Sequence, residues 1–413
     1  MADVEALCNE LSEQVKALRG GSEAARRRAT AAARRIITEI SDPEEMIEQQ
    51  SIVLAEMACI RMYIAWGFFD KIPAEGSVSY AELASSINAS ESLVRRMGQM
   101  LVATGMLKRP QPDHVALSRL APTFKTDTFD GCHFTMMTDE FQPAYQAFPG
   151  FFEKYGAQVP EGETKVPFCF PDGVDGKLTY WELIAKRGEG NVDRFGRAMQ
   201  GLQTHAWPYT GIYDFSWIAE YAQTNSERPL LLDIGGGQGQ MIRAVLEETP
   251  AIPRNRCYLQ DRPEVIGPVK ESSANDPVMK DVQKLVVNFH KEQPVKGMYT
   301  KNKIRYACAL VYLIRRCIHD YTDEDSVKVL TILANALPAD EPRARVLIND
   351  QINTEDPTPF VAAYDLLMLT IASMERSEKQ FADLAARAGL EVVKVHMKEG
   401  TMCGVVECKK AGV

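Results

Sequence analysis

Along the first forty residues charged positions alternate with Ala, Leu and Ile at helical spacing, and Arg26, Arg27, Arg28, Arg34 and Arg35 fall within that pattern. This reads as helix with a solvated basic face. Between residues 45 and 70 the apolar positions Ile52, Leu54, Met57, Ala58, Met62, Ile64 and Ala65 run around most of a helix, as in a helix buried in a bundle or a subunit interface. Ser79-Tyr80-Ala81-Glu82 has capping-box spacing, and Asn88 or Ser90 can open a second helix over Ser92 to Thr104 that Gly105 ends. Met106-Leu107-Lys108 and Val115-Ala116-Leu117, set apart by Pro110 and Pro112, then read as a ribbon, and helix, helix and ribbon make a winged-helix pattern. From Asp130 to Tyr213 the pattern is mostly helical, with a looser middle from Val159 to Gly176 that carries Phe168 and Phe170. Long irregular stretches of this kind are often lids or binding elements.

From Pro229 the grammar changes. Short apolar runs (Leu230–Ile234, Cys257–Gln260, Leu285–Val287, Leu310–Ile314, Arg345–Ile348) alternate with helical patterns at Gln240–Glu248, Val327–Leu337, Ala362–Ala372 and Gln380–Ala388. Strands separated by helices predict an α/β unit, a parallel sheet covered on both faces. The last two runs, Glu391–Val395 and Thr401–Cys408, lie close enough to form an antiparallel hairpin at one edge. The expected domains are 1–125, helical with the winged helix; 126–212, a helical connector; and 213–413, the α/β unit.

Composition narrows the function. The 413 residues are 45% hydrophobic and 25% charged, an ordinary globular balance. Lys and Arg total 47 against 56 Asp and Glu, a net charge of -9, which removes the footprint of a nucleic-acid binder, and the winged helix offers only Arg95 and Arg96 on its second helix. A structural or dimerising role for it is expected, with no nucleic acid as partner. Nine Cys without a CxxC pair, and an opening without a signal-peptide layout, suggest free thiols and a cytoplasmic protein. The most apolar long stretch, Val53 to Phe69, contains Glu56 and Arg61, whereas a membrane span needs ~20 nearly uncharged residues, so no membrane association is expected.

The chemistry sits where the first α/β strand turns into its helix. Leu231-Leu232-Asp233-Ile234-Gly235-Gly236-Gly237-Gln238-Gly239 is a glycine-rich turn that lets backbone approach a ligand closely. Gly235, Gly237 and Gln240 approximate a dinucleotide fingerprint without its last Gly. The acids break the tie: Asp233 before the glycines, and Asp261 in Gln260-Asp261-Arg262-Pro263 at the end of the next strand, form the pair expected for S-adenosylmethionine. The first carboxylate would face the amino-acid end, and the second would take both ribose hydroxyls.

On these motifs the chain resembles the small-molecule O-methyltransferases of the plant caffeic-acid type and their fungal relatives in secondary metabolism. The resemblance implies a mostly parallel seven-stranded Rossmann-like sheet behind a winged-helix dimerisation domain, a homodimer, and a small-molecule substrate. It implies that Asp233, Gly235 and Gly237 hold the methionine part and that Asp261 and Arg262 lie at the ribose. In Leu313-Ile314-Arg315-Arg316-Cys317-Ile318-His319-Asp320-Tyr321 it puts Arg315 at the family's Lys or Arg position, His319 at its general base and Tyr321 beside adenine. Asp350, ending the strand Val346-Asn349, and Glu375 fill the two acidic positions that brace the base. Met368 and Ala372, with Phe134, Met137 and Phe141 from the connector, would face the substrate, although each also suits a plain core position. No metal is implied. Two departures stand out. Residues Met298 to Ala309, with Lys301, Lys303 and Arg305, intervene where the family runs directly into the strand before the His, and Val287-Asn288-Phe289-His290 replaces an Asp-Phe or Asp-Met, leaving Asn288 or Phe289 to flank adenine.

Three readings follow. The first is an S-adenosylmethionine-dependent O-methyltransferase of a phenolic or enolic metabolite. In the second the fold and bound cofactor serve a pericyclic reaction, because some fungal relatives are pericyclases; there the base position holds Arg or Lys and a connector His assists. Retention of His319 favours methyl transfer, while His133 sits where such a helper would stand. The third is a catalytically silent fold partner.

Overall fold

A computed structural model describes residues 2–18, 20–21, 23–126, 128–201, 207–224, 228–295, 308–398 and 401–412. The chain divides into two compact units, Met1–Gln146 with Glu182–Leu202, and Ala147–Trp181 with Gln203–Val413. The expected connector 126–212 is therefore divided between them. Residues 298–307 of the stretch Met298 to Ala309 lie outside the described residues.

In the first unit the helices Ala2–Leu18 and Glu23–Ile40 pack as a pair and are followed by Pro43–Ala65. Only Ile60, Tyr63 and Ile64 of that third helix are buried. Ile52 and Leu54, expected to be covered, are exposed in the single chain, as are Ile37, Ile40, Met46, Ile47 and Val53. Ser79 opens the helix Tyr80–Ser85 with the anticipated capping box, its hydroxyl accepting from the Glu82 N–H at 3.1 Å while the Glu82 carboxylate accepts from the Ser79 N–H at 2.9 Å. The helix Glu91–Ala103 follows, and the strands β1 (Val78–Ser79), β2 (Leu107–Lys108) and β3 (His114–Leu117) form an antiparallel sheet in the order β1-β3-β2. A core of Tyr63, Phe68, Phe69, Tyr80, Val94 and Leu101 holds these pieces. Gly98 is required there, because a Cβ would stand 2.3 Å from the Tyr80 ring and 2.5 Å from the Tyr63 hydroxyl. The helices Phe129–Met136 and Glu189–Gly201 pack together, and the first runs into a π-helical turn, Met137–Phe141.

The second unit is the α/β body. Its strands are β4 (Leu231–Ile234), β5 (Cys257–Asp261), β6 (Gln283–Val286), β7 (Val311–Arg315), β8 (Arg345–Asn353), β9 (Arg376–Ser377), β10 (Leu390–Met397) and β11 (Cys403–Lys410). The sheet order is β10-β11-β8-β7-β4-β5-β6, with two-residue β9 added beside β8. Strands β6, β5, β4, β7 and β8 are parallel; β11 runs antiparallel between β8 and β10, which is the hairpin expected at one edge. Every residue of β4 and β7 is buried, because helices cover both faces, and two apolar clusters fill the two sides. Among the described residues no helix is long and apolar enough to cross a membrane.

One boundary differs in a way that matters. β8 does not stop at Asn349 but continues to Asn353, because β11 pairs with it as far as Gln351 and β9 takes over at Ile352. Asp350 therefore sits inside a central strand. Glu375 precedes β9, and the following helix, Glu378–Arg387, starts from a Ser377 cap.

Candidate functional site

The carboxyl ends of β4, β5, β7 and β8 meet on one edge of the sheet, the edge where doubly wound folds place ligands. After β4, Gly235, Gly237 and Gly239 adopt φ of 63°, 57° and 83°, a region costly for residues with a Cβ. At Gly235 a Cβ would also meet the Cys317 Sγ at 2.9 Å and the Phe289 ring at 3.2 Å. Asp261, at the end of β5, accepts from the Gly237 N–H at 2.8 Å and from the Arg262 N–H at 2.7 Å, so its carboxylate is tied to the loop. Asp233 is fully buried; its Oδ2 accepts from the Ile242 N–H at 3.3 Å and its Oδ1 has no partner. Burial pushes its pKa up to about 7, against the pull of that N–H and of Arg315. Arg262 is exposed and pairs with Glu264 at 3.2 Å. Beyond β6, exposed Asn288 caps the turn by accepting from the His290 N–H at 3.0 Å, while Phe289 stacks on His290 at 4.6 Å and Tyr321 meets His290 edge-on at 4.5 Å. An orphaned buried carboxylate oxygen, a glycine cradle, a second carboxylate and an aromatic group fit a ligand with an ammonium, a diol and a flat base.

His319 lies in a 3-10 turn, Ile318–Asp320, between β7 and the helix Asp323–Ala336. Fully buried Arg376 clamps this turn, donating to the carbonyls of Ile318 at 2.9 Å and Tyr321 at 2.7 Å and to Asp323 at 2.9 Å. The imidazole Nδ1 stands 2.9 Å from the Glu375 carboxylate, which fixes that nitrogen as the donor, and Nε2 stands 3.5 Å from Asp320. Glu375 is held in turn by its N–H donating to Asp365 at 2.8 Å and its carbonyl accepting from Asn353 at 3.0 Å. Asp350 makes no direct contact of this kind: it is fully buried and both its oxygens lack a hydrogen-bond partner among the described residues. Burial lifts Asp350 to about 6. Burial alone would lower the His319 pKa, but Glu375, Asp320 and Asp350 outweigh it and carry it up to about 9. The imidazole is thus cationic at neutral pH.

Next to this group stand two arginines. Arg315, nearly buried, donates from Nη2 to the Trp207 carbonyl at 2.9 Å and lies 4.5 Å over the Tyr209 ring. Arg316 has φ of 49° and lies 4.6 Å over the Trp207 ring. Trp207 packs on Phe360 and Tyr364 at 5.7 and 5.1 Å, on the helix Pro359–Leu369 that carries buried Met368. Ala372, just past that helix, is buried with φ of 58°, and the nearby Ser373 hydroxyl is buried without a partner. Two side-chain-bearing residues in left-handed backbone beside orphaned polar atoms are the kind of strain that collects at functional sites.

The remaining residues expected at the site lie in the first unit. His133 is half-buried, Phe134 packs edge-on against Phe124 at 5.2 Å, and Met137 and buried Phe141 bound the π-helical turn. In that turn buried Glu140 takes an ion pair from Arg194 at 3.2 Å. Sequence reasoning passed over Asp320, Arg376, Trp207 and Arg316. Asp320 and Arg316 were readable as neighbours of His319; Arg376 and Trp207 carry no local signal.

A model of the O-methyltransferase domain matches residues 218–391. The methyltransferase cfoD of Aspergillus candidus is 42% identical over 416 residues, covering 99% of each chain, and the methyltransferase pynC of Aspergillus niger is 34% identical, covering 86% of this chain and 94% of its own. Among solved structures, OxaC in complex with sinefungin and meleagrin superposes with a TM-score of 0.83 at 23% identity, covering 98% of each chain. LepI in complex with SAM gives 0.83 at 18% identity, covering 99% of this chain and all of its own.

The carboxylate shell makes a direct statement about His319. In a histidine-ring NMR titration its imidazole should titrate near 9, well above the ordinary 6.5, and Glu375→Gln should bring it down by roughly 1–3 units. An ordinary value in the unaltered protein would refute the assigned electrostatics.

Proposed function

The chain belongs to the O-methyltransferase family, and from that premise we propose that it transfers a methyl group from S-adenosylmethionine to the hydroxyl of a phenolic or enolic secondary metabolite, with His319 as general base. The observation that carries this reading is the orientation of the His319 ring: Nδ1 is committed to Glu375, which leaves Nε2 as the nitrogen able to take a proton. Asp233, Gly235, Gly237, Asp261 and Arg262 are proposed to hold the cofactor's amino-acid and ribose parts, with Arg315 behind them and Asn288, Phe289 and Tyr321 around its base. When bound, S-adenosylmethionine supplies a methyl on a sulfonium centre, which the acceptor oxygen takes as the C–S electron pair returns to sulfur. Neutral His319 removes the hydroxyl proton at Nε2; Glu375, Asp350 and Asp320 stabilise the imidazolium that results. Met368 and Ala372 are proposed to face the acceptor.

A second reading keeps fold and cofactor but makes the reaction pericyclic. What favours it is that His319, with its pKa raised to about 9, is a hydrogen-bond donor at neutral pH, suited to a substrate carbonyl. Mass spectrometry separates the two, since only methyl transfer consumes the cofactor and adds a methyl to product.

The base must be neutral to act, and its pKa is raised. kcat/KM should therefore climb about tenfold per pH unit up to about 9, and Asp320→Asn, which removes a charge 3.5 Å from Nε2, should move that limb toward lower pH. His319→Ala should lower kcat by ~10²–10⁴-fold with cofactor affinity nearly intact. Robust methyl transfer by His319→Ala would discard the mechanism.

Asp261→Ala removes charge-assisted hydrogen bonds worth ~1.5–3 kcal/mol each and also releases the Gly237 loop, so calorimetry should show S-adenosylmethionine bound at least tenfold more weakly. Unchanged affinity would cancel the assignment of that loop.

We also propose a homodimer. The occupant proposed for the exposed apolar side chains Ile37, Ile40, Ile47, Ile52 and Leu54 is a second copy of the chain, because this many large apolar groups on neighbouring helices are rarely left to water. Sedimentation should give twice the chain mass, and Ile47→Lys with Leu54→Lys should give the monomer; a monomeric unaltered protein would end the idea.

A further inference from the structure

One charged side chain beside the catalytic turn has no assigned task. Arg316 follows β7 directly and stands three residues before His319. Its N–H donates to the Asn349 carbonyl at 3.0 Å, next to Asp350, and its φ of 49° turns the side chain out of the strand direction. The guanidinium carbon then lies over Trp207, 4.6 Å from the ring centroid, and Trp207 is itself fixed by Phe360, Tyr364 and the Arg315 contact to its carbonyl. The Trp207 indole N–H is buried and has no hydrogen-bond partner among the described residues. Among the described residues the Arg316 guanidinium makes no ion pair, although its charge is felt at both Asp350 and Asp320. A planar cation placed over an aromatic ring, with no side-chain hydrogen bond among the described residues, is able to receive an anion with two oxygens.

We propose that Arg316 binds the deprotonated acceptor oxygen together with a second oxygen conjugated to it, so that the site selects enolates flanked by a carbonyl over isolated phenols. The electrostatics require some such partner. An oxyanion brought beside Glu375, Asp350 and Asp320 meets three carboxyl groups and one imidazole, and like charges in a dry site repel strongly. Arg316 supplies the second positive charge. Its fork spans two oxygens at once, which a simple phenol cannot offer. The proposal rests on the reading of His319 as the base end of the same site, but it concerns binding and can be tested without methyl transfer.

The test is calorimetry without methyl donor, using two probes. 4-Hydroxycoumarin is an enolate with a conjugated carbonyl at neutral pH; 2-naphthol is a neutral single hydroxyl. The full-length protein should bind 4-hydroxycoumarin at least about tenfold more tightly than 2-naphthol, Arg316→Gln should erase that preference while leaving 2-naphthol affinity unchanged, and Arg316→Lys, which keeps the charge without the fork, should restore part of it. Equal affinity of the unaltered protein for both probes, or no binding of 4-hydroxycoumarin, would overturn the proposal. So would an equal loss for both probes in Arg316→Gln, which would mark a structural role; should that variant not fold, an unchanged preference in Arg316→Lys would overturn the fork. Failure of His319 as base would appear in the turnover rates and leave these affinities as they are.

Discussion

Three carboxyl groups and one imidazole share a space with little water, and the rest of the second unit is arranged around making that tolerable. An isolated buried carboxylate is costly enough that it takes a proton instead, which is the direction in which Asp350, Asp320 and Asp233 all move. The His319 pKa rises as well, but there a held proton means a held charge, which the surrounding acids favour. Glu375 is committed by a 2.9 Å hydrogen bond, so the cluster settles near neutrality by pairing one carboxylate with the imidazolium and letting burial protonate others as pH falls. Charge balance, more than any single contact, keeps this group together.

Such a cluster needs rigid support, and the topology supplies it. β4 and β7 are buried throughout, so their carboxyl ends are fixed by packing on both faces, and β8 extends past them to bring Asp350 and Asn353 into range. Arg376 ties the His319 turn to β9, and Asp365 and Asn353 fix the backbone of Glu375. Among the described residues, buried atoms of Trp207, Asp233, Asn349, Asp350, Ser373 and Glu375 without a hydrogen-bond partner lie on this side of the second unit. Strain gathers there too, at Arg316 and Ala372, and the well-packed strands beneath hold both residues in place.

Much of this was legible because periodicity and turn chemistry are local. The helix Gln240–Glu248 begins and ends where its pattern does, the Ser79–Glu82 cap forms as its spacing requires, and the strand–glycine–helix order announces a ligand loop. The end of β8 was not legible, because what prolongs it is pairing with β11 and β9, fifty and twenty-five residues away. The burial expected around the helix Pro43–Ala65 is absent from the single chain, since an all-round apolar pattern says that something covers the helix but not which chain provides it. At the site the motif positions were readable and their electrostatics were not. Nothing in His319-Asp320 tells whether the second acid points at the ring, and nothing in Arg315-Arg316 tells that the second arginine leaves the strand in left-handed backbone.

The position of Asp320 exposes a tension within the mechanism. A stronger base takes a proton more readily, but raising its pKa above the working pH removes the neutral form tenfold per unit, while the gain in proton-transfer rate per unit is smaller. A cluster tuned only for abstraction at neutral pH would do better with fewer acids near Nε2. In the proposed mechanism the acids act at a later point, by holding the imidazolium once it is formed. An acidic acceptor removes the tension, because the proton is then lost to solvent before binding and a cationic His319 becomes an asset. The charge state of this one ring, set by residues 320, 350 and 375, is therefore the quantity on which the proposed base chemistry turns.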